Sequence, residues 1–273
     1  MNVLGQSNIS NIVNRMGDKL CSSCILSDNT FEISAKLIVD IKNFEIIESF
    51  AEIHKSPFEN MKKIIQLDEF KGKSGYIEGK KWLKRVLDFE NGEVLKVLFN
   101  QCINGIIQAE TYLIQERGFK SNEEYNRYWD QIEENGCRMY CNKHQDDLEW
   151  TEYASPLDRK ENLFNRSINS KWFELDDKNI FAVGTFSDSY HELHVNLKMK
   201  NHEQIETCEI EYKRAPGKAC FENYIHQEKL KGKYLKELDK KTIISMFGKS
   251  QGCYHLVDLL LELSRTSKIK WGI

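Results

Sequence analysis

One pattern occurs twice in this chain, and it limits the architecture more than any local motif does. The stretch ILSDNTFEISAKLIVDI, from Ile25, is echoed by TFSDSYHELHVNLKMKN, from Thr185; both read S-D-x-x-x-E and then alternate apolar with polar positions. HKSPFENM is echoed by KRAPGKAC, and FKGK by LKGK. Asp28 and Asp188, Pro57 and Pro216, and Gly72 and Gly232 stand 160, 159 and 160 residues apart, although the chain has only three prolines. A register held that closely points to two copies of one supersecondary unit, each with an apolar face to bury. Cys102 and Cys253, read as opening the helix of each copy, are 151 apart, which predicts about nine extra residues in the first copy around SGYIEGKKW.

FEISAKLIVDI and HELHVNLKM alternate as half-buried antiparallel strands do, with i, i+2 and i+4 on one face. After the prolines a helical period takes over. Leu256, Leu259, Leu260 and Leu263 form one apolar stripe, and Val94, Val97, Leu98 and Ile106 are the corresponding set in the first copy. Between the copies Ser121 precedes Glu124 by three residues, the capping-box spacing for a helix start. The polar segment that follows contains Pro156. The expected fold is therefore α+β, with two tandem repeats, each a small antiparallel sheet followed by two helices, joined by a mostly helical connector. The expected domains are 1–117, 118–164 and 165–273.

Composition excludes several classes. Net charge is −3 with lysines and acids interspersed, so no basic field recruits nucleic acid. The start MNVLGQSNIS lacks a basic region followed by an apolar core, and no window approaches 18 consecutive apolar residues, so no membrane is predicted and a cytoplasmic protein is. In that compartment the eight cysteines read as buried thiols, metal ligands or reactive groups rather than disulfides. Gly-rich phosphate loops and H-E-x-x-H are missing.

Two constellations carry metal or thiol chemistry. In the second copy Cys220, Cys253 and His255 oppose Met61, Cys102 and Asn104 of the first, so one copy has a thiol and an imidazole that the other lacks. Cys253 after Gly252 is placed at a helix start, where unpaired N–H groups would favour a thiolate. It is equally spaced to join the apolar stripe through Leu256 and Leu260 as an inert buried thiol. His255 lies about 200° from Cys253 around a helix, so the two share an ion only if the helix begins between them. Asp188, His191 and Glu192 are further contributors, although strand alternation would put His191 on the opposite face from the two acids. The second constellation is Cys137, Cys141 and His144, which fall on one helical face and suit zinc. Cys21 or Cys24 of CSSC would supply a fourth ligand, but residues three apart in a strand chelate poorly.

Asp188 with His191, Pro216 with Cys220, Leu230 with Gly232, and Gly252-Cys253-Tyr254-His255-Leu256 resemble the recurrent elements of a bacterial family, the domain of unknown function 2889. The resemblance covers residues 165–270, and residues 8–117 look like a degenerate second copy. It implies a bacterial protein and draws attention to Cys220, Cys253 and His255, without supplying an activity. A Gly-Cys at a helix start beside a small antiparallel sheet is also similar to iron–sulfur scaffold and sulfur-acceptor proteins, a fold-level analogy.

The leading expectation is a metal-binding or thiol-reactive site in the second copy, with zinc or an iron–sulfur group as cofactor. If it is catalytic, Cys253 is the nucleophile or sulfur carrier, His255 its proton partner and Cys220 a resolving thiol or ligand. The alternatives are a non-enzymatic module that binds a protein partner with its cysteines in the core, and an iron–sulfur or sulfur-transfer scaffold.

Overall fold

In a computed structural model the described residues are 1–58, 62–78, 81–83, 87, 89–144, 147–154, 159–201 and 203–269; Met61 and Pro156 lie outside them. Nine antiparallel strands form the framework: β1 (Asn2–Met16), β2 (Lys19–Ser27), β3 (Glu32–Asp40), β4 (Ile46–Lys55), β5 (Lys63–Gln66), β6 (Asn162–Glu174), β7 (Asn179–Asp188), β8 (Glu192–Lys200) and β9 (Gln204–Arg214). They make one sheet in the order β5-β4-β3-β2-β1-β6-β7-β8-β9. The two small sheets expected from the repeat are thus replaced by a single large one.

The helices are α1 (Gly92–Ala109), α2 (Asn122–Ile132), α3 (Arg138–Cys141), α4 (Trp150–Ala154), α5 (Lys218–Phe221), α6 (Lys240–Phe247) and α7 (Tyr254–Thr266). No helix among the described residues is long and apolar enough to cross a membrane. Contacts divide the chain into two compact units: a site unit of residues 1–7, 126–153 and 167–273, and a companion unit of residues 8–125 and 154–166.

In the site unit, β8 alternates as its sequence predicts, with Leu193, Val195, Leu197 and Met199 at most 1% exposed. The α7 stripe of Leu256, Leu259, Leu260 and Leu263 is fully buried, each side chain contributing about 1.5–3 kcal/mol. It lies on β7 at Gly184, where an added Cβ would come 2.8 Å from Leu263 Cδ1 and 3.0 Å from Leu259 Cδ1. The glycine therefore sets how closely the helix approaches the strand.

The companion unit packs α1 on β2 and β3. Its buried face is Leu95, Leu98, Phe99, Cys102 and Ile106. Val97 is exposed and Val94 half-buried, so the expected stripe was out of phase at its first turn. Cys102 sits in the middle of α1 rather than at its start. The residues that do open α1 and α7 are Gly92 and, just ahead of the helix, Gly252, again 160 apart. A Cβ at either would strike a carbonyl oxygen five residues earlier, 2.4 Å from Leu87 O and 2.0 Å from Phe247 O. The supposed nine-residue insertion is not needed once Cys102 is released from pairing with Cys253. Between these parts, α2 begins as the capping box predicts, with Glu124 N–H donating to Ser121 Oγ at 3.3 Å and Lys120 N–H to Glu124 Oε2 at 2.8 Å.

Candidate metal centre

The site is built from the end of β7, the turn into β8 and the start of α7. Strand β7 stops at Asp188 and β8 resumes at Glu192, so residues 189–191 belong to a turn and strand alternation does not govern them. Asp188 Oδ1 accepts the Tyr190 and His191 N–H groups at 2.8 and 2.7 Å, and Asp188 N–H donates to the His191 carbonyl at 2.8 Å. That Asx-type closure brings the His191 ring back over its own aspartate, with Nδ1 3.2 Å from Oδ1. Sequence reasoning set His191 apart because it continued the strand through the turn.

The turn is clamped from outside. Arg214 donates to the Ser189 and Asp188 carbonyls, both at 2.7 Å. Tyr153 Oη donates to the Tyr190 carbonyl at 2.5 Å, and Trp150 meets the Tyr190 ring edge-on at 4.8 Å. Neither Arg214 nor Tyr153 carries a signal that would mark it in the sequence; each acts through backbone carbonyls.

Helix α7 delivers the third group. Cys253 is its N-cap residue, on extended backbone, and the helix begins at Tyr254. The helix therefore does start between Cys253 and His255, the one geometry that lets both face the same place. Cys253 Sγ is 3.7 Å from His255 Nδ1, while His255 Nε2 points the other way, 3.9 Å from Asp188 Oδ2. The His191 and His255 rings lie 3.8 Å apart. Ligand atoms of Asp188, His191 and His255 all fall within 4.8 Å of one another, the group of this kind found among the described residues. The Asp188 side chain is fully buried and His191 is 9% exposed, but His255 is 21% exposed, so the centre opens to solvent on the His255 side.

The thiols behave differently from the helix-dipole expectation. Burial pushes the Cys253 thiol above its ordinary value, although Tyr212 and the first-turn N–H groups of α7 act to lower it. At an N-cap the dipole favours an anion by about 0.3–1 kcal/mol, less than the desolvation of a buried thiolate costs. Cys220 is also buried and shifted upward, first by burial and then by Cys253.

The second constellation does not assemble as drawn. Helix α3 covers only Arg138–Cys141, with Cys137 as its N-cap on extended backbone, so His144 lies past its end. Cys141 Sγ contacts Asn135 Oδ1 at 3.9 Å, and His144 Nε2 is 4.0 Å from Glu222 Oε1. In the companion unit Cys24 is buried and Cys21 half-buried on alternate faces of β2. All eight cysteines are free thiols.

Residues 170–268 match once the model of a family described as a protein of unknown function, DUF2889. No curated protein and no solved structure matches the chain.

Proposed function

We propose that the site unit is a metal-binding module whose ion is held by Asp188, His191 and His255. The observation that carries the reading is the convergence of one carboxylate and two imidazoles within 4.8 Å. Two histidines and a carboxylate with further positions open are the donor set of non-haem iron(II) sites, and they also suit zinc. His255 is oriented for the role: with Nε2 toward the ion, Nδ1 is left to the Cys253 sulfur, as a ligating histidine commonly engages a second partner through its other nitrogen. Cys253, expected as ligand or nucleophile, becomes in this reading the group that orients His255. The solvent-facing side leaves room for water or a small substrate as a further ligand. An iron–sulfur cluster, which needs mainly thiolates, fits this oxygen–nitrogen set less well.

A bacterial cytoplasmic setting agrees with eight free thiols, and the tandem-repeat origin and the domain limits at 117 and 164 are part of the same proposal. The protein-partner reading is favoured by a different feature, the exposed Phe221, Tyr224, Ile225 and Tyr254 side chains.

The test is cobalt(II) titration of chelator-treated protein, followed by its visible absorption, with iron(II) and zinc as competitors. One equivalent should bind, and His255→Ala should abolish the band while leaving the circular dichroism of the protein unchanged. A folded wild type that takes up no ion would refute the reading.

A further inference from the structure

Asp188 and His191 share one four-residue turn, so the backbone of that turn decides whether the His191 ring stays over its aspartate. All four carbonyls of the turn accept from a side chain brought from elsewhere in the site unit. Arg214 donates from Nη1 to Ser189 O at 2.7 Å, and from Nη2 to Asp188 O at 2.7 Å and His191 O at 3.4 Å. Tyr153 Oη supplies the remaining one, Tyr190 O, at 2.5 Å.

The companion turn shows how much of this clamp the backbone shape alone requires. Lys55, 159 residues before Arg214 as Pro57 is before Pro216, reaches the Asp28 and Asn29 carbonyls, the equivalents of Asp188 and Ser189. Among the described residues no side chain holds the Thr30 or Phe31 carbonyl. The contacts added in the site unit therefore fall on residues 190 and 191, the half of the turn that carries the imidazole. The stronger of them comes from α4. Trp150, three residues before Tyr153 and so on the same side of the helix, meets the Tyr190 ring edge-on at 4.8 Å, and Tyr190 is only 2% exposed. Helix α4 has its own anchor away from the turn: Asn126 Nδ2 donates to Thr151 Oγ1 and Thr151 N–H to Asn126 Oδ1, both at 3.1 Å.

We infer that Arg214 and Tyr153 are positioning residues of the Asp188–His191–His255 centre, and that Tyr153 couples ion occupancy to the docking of α4; the inference rests on the metal reading of that centre. Both side chains act through backbone carbonyls and leave the ligand atoms to the ion. A turn that is already held gives up less conformational freedom when His191 ligates, so the ion binds more tightly with α4 in place. The coupling is reciprocal: the factor by which docked α4 raises ion affinity is the factor by which the ion favours docked α4. Lifting α4 from the turn weakens the hold on the ion.

Two measurements on the full chain test this: cobalt(II) titration, and amide exchange of residues 147–154 with and without saturating zinc. In the wild type, zinc should slow exchange at Tyr153, whose N–H donates to Glu149 O at 3.0 Å. Tyr153→Phe should weaken cobalt(II) binding about tenfold and abolish the zinc-dependent slowing, with circular dichroism unchanged. Arg214→Lys can still hold the Asp188 and Ser189 carbonyls as Lys55 holds their equivalents, so its affinity should lie between those of the wild type and Arg214→Met. Lys55→Met should bind as the wild type does. Wild-type affinity in Tyr153→Phe, with the zinc effect on α4 intact, would overturn the coupling and leave the metal reading standing. A folded wild type that takes up no ion would overturn both.

Discussion

The turn from Asp28 to Phe31 in the companion unit and the turn from Asp188 to His191 in the site unit share one backbone design. Asp28 Oδ1 accepts the Thr30 and Phe31 N–H groups at 2.6 and 2.8 Å, as Asp188 Oδ1 accepts those of Tyr190 and His191. Both aspartates donate N–H to the carbonyl three residues on, at 2.8 Å in each case. Lys55 Nζ reaches the Asp28 and Asn29 carbonyls at 3.5 and 2.5 Å, in the manner of Arg214 on the other turn. Irregularities in strand register recur at Glu32/Ile33 and Glu192/Leu193, and at Ile38/Val39 and Lys198/Met199. Farther on, Gly72 and Gly232 both adopt φ 77°, and their N–H groups donate to Ile46 and Ile205 at 2.9 and 2.8 Å. What differs is chemistry: Phe31 stands for His191, and at the helix start Glu93 and Leu95 stand for Cys253 and His255. Holding a turn of this shape therefore does not require the imidazoles, so their presence in one unit alone calls for a reason other than scaffolding.

The largest effects should appear where the two units are alike. Gly92→Ala and Gly252→Ala each force a Cβ onto a backbone oxygen, at 2.4 and 2.0 Å, and backbone cannot step aside as a side-chain tip can. Each should cost about 3 kcal/mol or more in denaturant unfolding, with Gly252→Ala the worse. A tolerated Gly92→Ala would show that the two helix starts are not equivalent.

Next come the aspartates, where the units should part. Asparagine keeps the oxygen that accepts the turn N–H groups, so Asp28→Asn and Asp188→Asn should each change stability by no more than about 1 kcal/mol. Metal affinity at the His255 centre should fall at least about a hundredfold for Asp188→Asn and stay unchanged for Asp28→Asn, both read by cobalt(II) titration. Equal loss in the two variants would mean that binding depends on the fold and not on this carboxylate.

How much of this was legible in the sequence depended on whether the deciding contact was periodic. The α7 leucines and the alternation of β8 were readable because burial on a helix face or a sheet face repeats at a fixed interval. The Asp188–His191–His255 cluster was not, although all three residues were noticed, because its assembly turns on where two elements stop. A strand that ends at Asp188 rather than running on reverses the side on which His191 falls, and a helix that begins after Cys253 lets its sulfur reach His255. Boundaries are set by caps and turns of a few residues, which leave weak patterns. For the same reason Cys137, Cys141 and His144 were drawn onto one helix that in fact ends at Cys141. The hydrogen bond from Arg138 N–H to the Gly252 carbonyl joins segments 114 residues apart in sequence, and no local pattern announces it.

A smaller test grafts the difference. Phe31→His supplies the companion turn with the missing imidazole, yet Leu95, fully buried, remains where His255 would stand. The variant should bind no additional equivalent of cobalt(II). A second equivalent would show that one carboxylate and one imidazole suffice, and the need for His255 in the site unit would have to be abandoned.

The smallest effect separates the units by pH. His226, 4% exposed, donates from Nε2 to the Gln251 carbonyl at 2.5 Å, just before the start of α7; the residue 160 earlier is Gln66, which does not titrate. Burial lowers the His226 pKa, outweighing the contribution of the Gln251 carbonyl in the other direction. The unfolded chain then binds a proton more readily than the folded one, so the stability contributed by neutral His226 is present above the unfolded pKa of about 6.5 and is lost as pH falls through it. Amide exchange at the start of α7, where Cys253 N–H donates to Phe247 O at 2.7 Å, should lose protection between about pH 7.5 and 5.5 after correction for the intrinsic rate. The start of α1 should not, and His226→Gln should flatten the response of α7. If both helix starts loosen together, the acid sensitivity belongs to groups other than His226 and this distinction between the units fails.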